Sequence, residues 1–331
     1  MVSQVAETGT AVVSPTRSGP RLARLRDFAL LPVIAVLFVV GALVDRAFAT
    51  TDNVLNVLQS QTELGLLVLA ETLVLIAGRF DLSLEATIGL GPALGVLVPA
   101  WLHLSAGWSI PICLLVGVLV GVVNGLLIVK FRLSAFVLTL GMLVAGHGLV
   151  IAFTKGASIF KLPASFTYAG SAVWGRVPVS VWICAVLFAA GIVALGFLRH
   201  GRALYAIGGN VDAARAAGIR TDRVLIVGYV IAGLLAALAG LLYSGHYGSV
   251  TASQGNQMIF QVFAAAVIGG VSLDGGKGTI FGALCGLIVL GLIQNILTFA
   301  GVPAEWFQAI NGVIIILALV LSRLVSGKAQ D

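Results

Sequence analysis

The chain of 331 residues carries very little charge. Only 10% of its residues are charged, whereas a soluble domain carries about 25%. Its three cysteines, Cys113, Cys184 and Cys285, are far apart in apolar runs, which does not fit a disulfide framework or a zinc site. The four histidines lack metal-ligand spacing, and no GxSxG motif is present. We therefore predict no catalytic residue, metal site or cofactor in this chain.

Long apolar runs dominate instead, because 59% of the residues are apolar. Several runs reach the roughly 20 residues that span a bilayer as a helix. A transmembrane barrel would need segments of about ten residues with alternating polarity, which are absent. We predict an all-α polytopic membrane protein with about ten spans and a cytoplasmic tail at each end. The expected ranges are the tails 1–27 (disordered) and 324–331, the membrane domain 28–323, and spans near 28–44, 58–78, 86–103, 108–129, 134–154, 179–198, 224–244, 257–270, 279–300 and 305–322.

The run 257–270 is short for a full crossing, so we expect a half helix buried among the others. Basic residues set the orientation, because Lys and Arg stay in the cytoplasm. With both termini inside, the only basic residues outside are Arg46, Lys155, Lys161 and Arg176. The net charge of +6 reflects these loops. Without a basic face carrying aromatics, we predict membrane lipid and no nucleic acid as a partner.

The polar stretch 199–223 carries five Arg between two apolar runs. Its middle, Asp212 to Gly218, is rich in Ala and ends in Gly, which predicts a short helix with a left-handed cap. Either Asn210 or Asp212 is suited to cap its start. We expect a small basic helical protrusion on the cytoplasmic side.

Two glycine-rich breaks interrupt the apolar runs. The stretch 270–279, GVSLDGGKGT, lacks the Gly-Lys-Ser/Thr spacing of a phosphate loop, so we expect no ATP binding. Residues 77–83 can be aligned with 268–274 as a weak internal repeat, and transporters often carry repeats with broken helices. Chance similarity between two glycine-rich turns is the alternative.

Polar side chains inside membrane spans tend to face an interior or a water-filled path. The candidates for a pathway or gate are Glu63, Glu71, Asp81, Ser83, Asn124, Ser272 and Asn295. The alternative is that they hold helices together by hydrogen bonds. Asp81 and Glu85 lie beside Arg79, and we expect them to pair with it at the membrane boundary.

Three motifs in this order give the chain a resemblance to the permease subunits of ATP-binding-cassette importers of the ribose and xylose type. Residues 78–83, GRFDLS, resemble the family's G-G-x-D-L-S turn. Residues 201–219, GRALYAIGGNVDAARAAGI, resemble its cytoplasmic G-R-x-x-Y-A-I-G-G-N loop. Residues 268–279, IGGVSLDGGKGT, resemble its I-G-G-x-S-L-x-G-G-x-G-T turn. The chain departs from the family at Arg79, where a second Gly is frequent, and at Glu85, which replaces a small residue.

The resemblance implies that the loop holds a short helix that couples the permease to an ATPase. The residues it assigns to this role are Gly201, Arg202, Tyr205, Gly208, Gly209, Asn210, Asp212, Ala213, Ala214 and Gly218. It further implies a non-catalytic translocation subunit in a bacterial inner membrane. The partners would be a cytoplasmic ATP-binding subunit, a periplasmic sugar-binding protein and a second permease chain, identical or not.

The cargo implied by the resemblance is a pentose or related small sugar. A furanosyl signalling molecule or an amino acid is the alternative cargo within the same family. A secondary transporter driven by ions is an alternative outside the family, supported by the carboxylates of Glu63 and Glu71. An intramembrane enzyme is a weaker alternative, because no nucleophile and base are paired.

Overall fold

The computed structural model describes residues 28–303 and 305–326. The predicted N-terminal tail 1–27 lies outside them, as do residues 327–331 of the predicted C-terminal tail. The described chain folds almost entirely into helices. In order they are α1 (Leu30–Val44), α2 (Thr51–Ser60), α3 (Thr62–Ile76), α4 (Ser83–Trp101), α5 (Ser109–Lys130), α6 (Ala135–Thr154), α7 (Ala164–Ser171), α8 (Val179–Phe197), α9 (Arg199–Gly209), α10 (Val211–Ala216), α11 (Thr221–Tyr247), α12 (Met258–Ile268), α13 (Ile280–Phe299) and α14 (Glu305–Ser326).

In the described part of the chain, six helices are long and apolar enough to cross a membrane, namely α4, α5, α6, α8, α11 and α13. This confirms the polytopic all-α prediction. The apolar helices α1 and α12 are shorter, with 15 and 11 residues. The expected span 58–78 is divided between α2 and α3 at Gln61. The count of about ten spans therefore stays a prediction.

Helix α3 forms the centre of the bundle. All of its 15 residues are buried, and α8, α11, α12 and α13 pack around it. A helix that is apolar on every side must be enclosed by other helices, and α3 meets that expectation. Helix α3 is therefore the central helix around which these four helices are placed.

Small residues let neighbouring helices approach closely, as the glycine spacing in the sequence predicts. Helix α5 packs antiparallel to α11, with Gly117 against Gly233 and Gly125 against Ile226. A methyl group at Gly125 would lie 3.0 Å from the Cα atom of Ile226. Gly286 of α13 packs in the same way against Ala265 of α12.

The two glycine-rich breaks have similar backbone structure. After α3, Gly78 takes φ +71° and the next amide, of Arg79, donates to Val74 O at 3.1 Å. After α12, Gly270 takes φ +80° and the amide of Val271 donates to Ala266 O at 2.9 Å. In the structure Gly78 corresponds to Gly270, whereas the alignment made on sequence alone pairs Gly78 with Gly269. The following helices begin at different distances from each break, so the likeness is confined to the helix ends.

The segment between α6 and α8, residues 155–178, is partly regular in structure. It contains α7 and a two-stranded antiparallel ladder, β1 (Val173–Trp174) and β2 (Val177–Pro178), in which Val173 pairs with Pro178. Helix α7 packs against α11, and its Phe166 is fully buried. Gly170 of α7 packs against Gly245 near the C-terminal end of α11, whereas α9 and α10 precede the N-terminal end of α11.

Candidate coupling junction and polar interior

The protrusion predicted at 212–218 is present as α10. The side chain of Asn210 accepts hydrogen bonds from the amides of Asp212 and Ala213 at 3.0 and 2.9 Å, which makes Asn210 the N-cap. Gly218 takes φ +81° after the helix, and the amide of Ile219 donates to Ala214 O at 3.1 Å. The left-handed glycine was predicted from the sequence, and of the two cap candidates, Asn210 and Asp212, the structure selects Asn210.

Helix α10 is attached by one face only. Ala214 is buried, whereas Asp212, Ala213 and Arg215 are exposed. Arg215 lies 3.5 Å from Asp212, but exposed ion pairs of this kind contribute little to stability. The outer face of α10 is therefore available to a partner.

Helix α9 ties this protrusion to the two glycine-rich breaks. The backbone of Gly208 lies directly against Ile76 O and the amide of Gly276, leaving no room for a Cβ atom. The Gly276 amide also donates to Ile76 O at 2.8 Å. A methyl group at Gly275 would lie only 2.6 Å from the Cα atom of Gly78. We call this contact of Gly78, Gly208, Gly275 and Gly276 the glycine junction.

A side chain adds a further tie at the same place. The hydroxyl of Tyr205, one turn before Gly208, donates to Gly278 O at 2.7 Å. The three sequence motifs, which are far apart along the chain, thus meet at one end of the bundle. Close backbone contact leaves little freedom for α9 to slide over the breaks, because packed interiors resist small displacements.

Ser272 and the remaining members of the loop motif belong to the same end. Ser272 Oγ accepts from the amide of Asp274 at 3.3 Å, so it shapes the turn between α12 and α13. Gly201 packs against the end of α8, and Arg202 is exposed. Gly209 has open space where a side chain would be.

A buried polar cluster lies behind the first break. Asp81 Oδ1 accepts from Ser83 Oγ at 2.5 Å and from the Ser83 amide at 3.1 Å. Asn124 of α5 donates to Ser83 Oγ at 2.7 Å, and Glu71 of α3 accepts from the Asp81 amide at 3.3 Å. All four residues are almost fully buried. The cluster joins α3, α4 and α5 through the break.

The expected pairing of Asp81 and Glu85 with Arg79 is wrong. Among the described residues, neither carboxylate lies within ion-pair distance of Arg79. Both carboxylates point into the bundle, where Asp81 serves the polar cluster and Glu85 contacts α12. Proximity in sequence to Arg79 was a poor guide, because the chain turns back along α3 after Gly78. The turn places Asp81 and Glu85 inside the bundle rather than at its boundary.

Glu85 caps the half helix. Its two carboxylate oxygens accept from the amides of Gln257 and Ile259 at 2.9 and 3.0 Å, at the N-terminus of α12. A carboxylate there satisfies unpaired amides and opposes the helix dipole favourably. His147 of α6 lies 3.9 Å from Glu85. The departure of Glu85 from the family pattern therefore has a local structural reason.

Glu63 and Asn295 lie elsewhere. The carboxylate of Glu63 is 3.0 Å from His246 Nδ1, near the end of α11 that is distant from the glycine junction. Asn295 of α13 exchanges hydrogen bonds of 2.9 and 3.2 Å with Asn53 of α2. The structure thus separates these pathway candidates into a cluster around Asp81, Glu63 paired with His246, and Asn295 linking α13 to α2.

Gln254 was not among the residues singled out from the sequence. Its buried amide donates to Ile88 O at 2.9 Å and to Gly240 O at 3.1 Å, joining α4 to α11. The adjacent Gly255, at φ +86°, packs against Glu85 O. A glutamine next to a glycine at the start of a short apolar run was the only signal available.

Comparisons with known proteins identify the family of this chain. The family described as "Branched-chain amino acid transport system / permease component" matches residues 53–319. The chain belongs to this permease family. The matched region contains α3 to α13, and with them the glycine junction and the polar interior.

Relatives of similar length extend the comparison. The chain is 31% identical to the ribose import permease protein of Escherichia coli K12 over 325 residues, covering 97% of this chain and 99% of the relative. It is 33% identical to the autoinducer 2 import system permease protein of Yersinia pseudotuberculosis over 296 residues, covering 89% of this chain and 84% of the relative. No solved structure matches. The chain is therefore a multi-pass permease of the inner membrane and of the importer type.

Proposed function

We propose that this chain is the translocation subunit of an ATP-driven importer and that α10 docks on its ATP-binding subunit. The observation that carries the proposal is the exposed α10, held at one face and joined through α9 to the glycine junction. An element that transmits movement needs a free face for its partner and a rigid connection to the membrane helices. Helix α10 has both.

Charge supports a cytoplasmic position for α10. Most of the basic residues between 28 and 303 lie in the loops and helix ends around the glycine junction, and basic residues favour the cytoplasm. Those at the opposite end are Arg46, Lys155, Lys161 and Arg176. In this orientation the segment with α7 and the β-ladder faces the periplasm, where a binding protein would deliver cargo. A second permease chain would complete the pathway.

The proposed cargo is a small sugar such as a pentose. The support comes from the ribose import permease, which aligns over nearly all of both chains. A furanosyl signalling molecule is the alternative, since an autoinducer 2 import permease is comparably similar. The family description names branched-chain amino acids, but the carboxylate of an amino acid would need a cationic partner, and Glu85 already occupies the N-terminus of the half helix.

A pull-down with a matched pair of variants tests the docking of α10. Ala213, on the exposed face of α10, is changed to Glu, which would bury an unpaired charge in the proposed interface. Ala157, exposed at the opposite end, is changed to Glu as the control. We expect the ATP-binding subunit to co-purify with the unmodified chain and with A157E, but to be largely lost with A213E. Equal recovery with both variants would contradict the docking site.

Transport driven by an ion gradient is the second candidate, because the Glu63 carboxylate lies 3.0 Å from His246 Nδ1 within the bundle, and ionisable residues at such positions often mark ion paths. Vesicles that contain this chain without ATP would then take up sugar when a proton gradient is imposed. Uptake that requires both the ATP-binding subunit and ATP would support the importer instead.

A further inference from the structure

The segment between α11 and α12, residues 248–257, enters the interior of the bundle. Gln254 is hydrogen-bonded to Ile88 of α4. Trp101, the last residue of α4, lies about 20 Å further along the helix axis. Gln254 also bonds Gly240, about 10 Å before the end of α11. Residues 253–257 therefore lie well below the end of the bundle, at the depth of the membrane interior.

Three side chains of this deep segment are polar and exposed. They are Ser253, Asn256 and Gln257. Their side chains make no hydrogen bond to any described part of the chain. Polar groups cannot face the hydrocarbon of a bilayer without a large loss of hydration free energy. This surface must therefore face water or another polar molecule.

The charge around this surface selects a neutral molecule. No Lys or Arg occurs between residues 224 and 276. The N-terminus of α12 could attract an anion, but both carboxylate oxygens of Glu85 already accept its amides. What the segment offers is one hydroxyl and two amides, which donate and accept hydrogen bonds equally well. Phe260, 58% exposed in the first turn of α12, adds an apolar face.

We propose that Ser253, Asn256, Gln257 and Phe260 form a binding step within the translocation pathway for a neutral, hydroxyl-rich cargo of monosaccharide size. The inference rests on the proposed function, because it places the pathway along this face. The amides and the hydroxyl would replace part of the hydration of the cargo, and the Phe260 ring would pack on its C–H groups. The half helix α12 would then connect this step directly to the glycine junction at its other end.

Cysteine labelling tests exposure and binding directly. The native thiols at 113, 184 and 285 are buried, so a cysteine introduced as N256C is a selective reporter. The importer, with its ATP-binding subunit and binding protein, is placed in proteoliposomes and treated with a water-soluble methanethiosulfonate. We expect N256C to be labelled and 10 mM D-ribose to slow the labelling by about twofold or more. The same rate with and without D-ribose, or no labelling, would overturn the binding step.

Transport measurements with a double variant give the second test. S253A/N256L removes hydrogen-bonding groups from the surface, and N56L replaces an exposed Asn of α2 as the control. We expect D-ribose uptake per ATP hydrolysed to fall about fivefold or more in the double variant. Uptake and ATPase activity of N56L should both stay within about twofold of the unmodified importer.

Other outcomes distinguish the sources of failure. Unchanged uptake in the double variant would overturn the binding step and leave the proposed function standing. Loss of association between two permease chains in the double variant would assign this face to a subunit contact and would also overturn the binding step. If the unmodified importer shows no ATP-dependent uptake of D-ribose, D-xylose or autoinducer 2, the proposed function itself fails.

Discussion

A methyl group at Gly208 should disrupt the glycine junction. The ideal Cβ position at Gly208 overlaps Ile76 O and the Gly276 amide, which are themselves joined by a 2.8 Å hydrogen bond. Backbone atoms on both sides cannot rotate away, as a flexible side chain could. Accommodating Ala therefore requires α9 to move off the breaks or the Gly276 hydrogen bond to lengthen.

The neighbouring Gly209 supplies the matched control, because a Cβ atom there meets nothing within 4 Å. Both glycines lie in the last turn of α9, so the helix-propensity gain of about 1 kcal/mol from Gly to Ala is common to G208A and G209A. Overpacking costs about 1–3 kcal/mol. We therefore expect the difference in stability between the two variants to be of that size, with G208A the less stable.

The assay is thermal unfolding of each variant in detergent, together with ATP-dependent uptake in proteoliposomes. A difference of about 1–3 kcal/mol corresponds to several degrees in Tm for a chain of this size. G208A should also reduce uptake more strongly than G209A, because it separates α9 from the breaks. If G208A matches G209A in both Tm and uptake, the junction does not constrain the protein and the reasoning is refuted.

Two further variants test α10 and the buried polar cluster. G218V should reduce uptake while membrane insertion persists, because a β-branched residue is strained at φ +81°. G218N is the control, because Asn tolerates that conformation, and it should retain more uptake than G218V. Equal uptake by the two variants would contradict the role of the left-handed cap. N124L should lower stability by about 1–3 kcal/mol, since it leaves Ser83 and Asp81 without their partner on α5. T139V is its control, because Thr139 bonds only within its own helix; equal Tm values for N124L and T139V would remove the cluster's structural role.

Local features of this fold could be predicted from the sequence. The short helix α10 was predictable because Asn210 and Gly218 act on their own neighbours, through a cap and a left-handed turn. The half helix 258–268 was predictable because its apolar run is too short to cross a membrane. Each of these signals depends only on residues that are close together in the sequence.

Contacts between distant segments could not be predicted in the same way. Gly78, Gly208 and Gly275 each indicated a turn or a close approach, but nothing local indicated that they approach one another. Glu85 was assigned to Arg79 because the two are close in sequence, whereas its partners are the amides of Gln257 and Ile259. The depth of residues 253–257 was hidden for the same reason, since it depends on Gln254 reaching Ile88.

The half helix α12 gives these separate sites a mechanical relation. At one end, its break contacts α9 through Gly275 and Gly276, and α9 leads to α10. At the other end, Glu85 holds its first amides beside the exposed polar segment. A helix of 11 residues is only about 16 Å long. In the proposed importer, a displacement of α10 by the ATP-binding subunit would reach the cargo through this one short helix, so changes at Gly208 and at Glu85 should impair the same step from opposite ends.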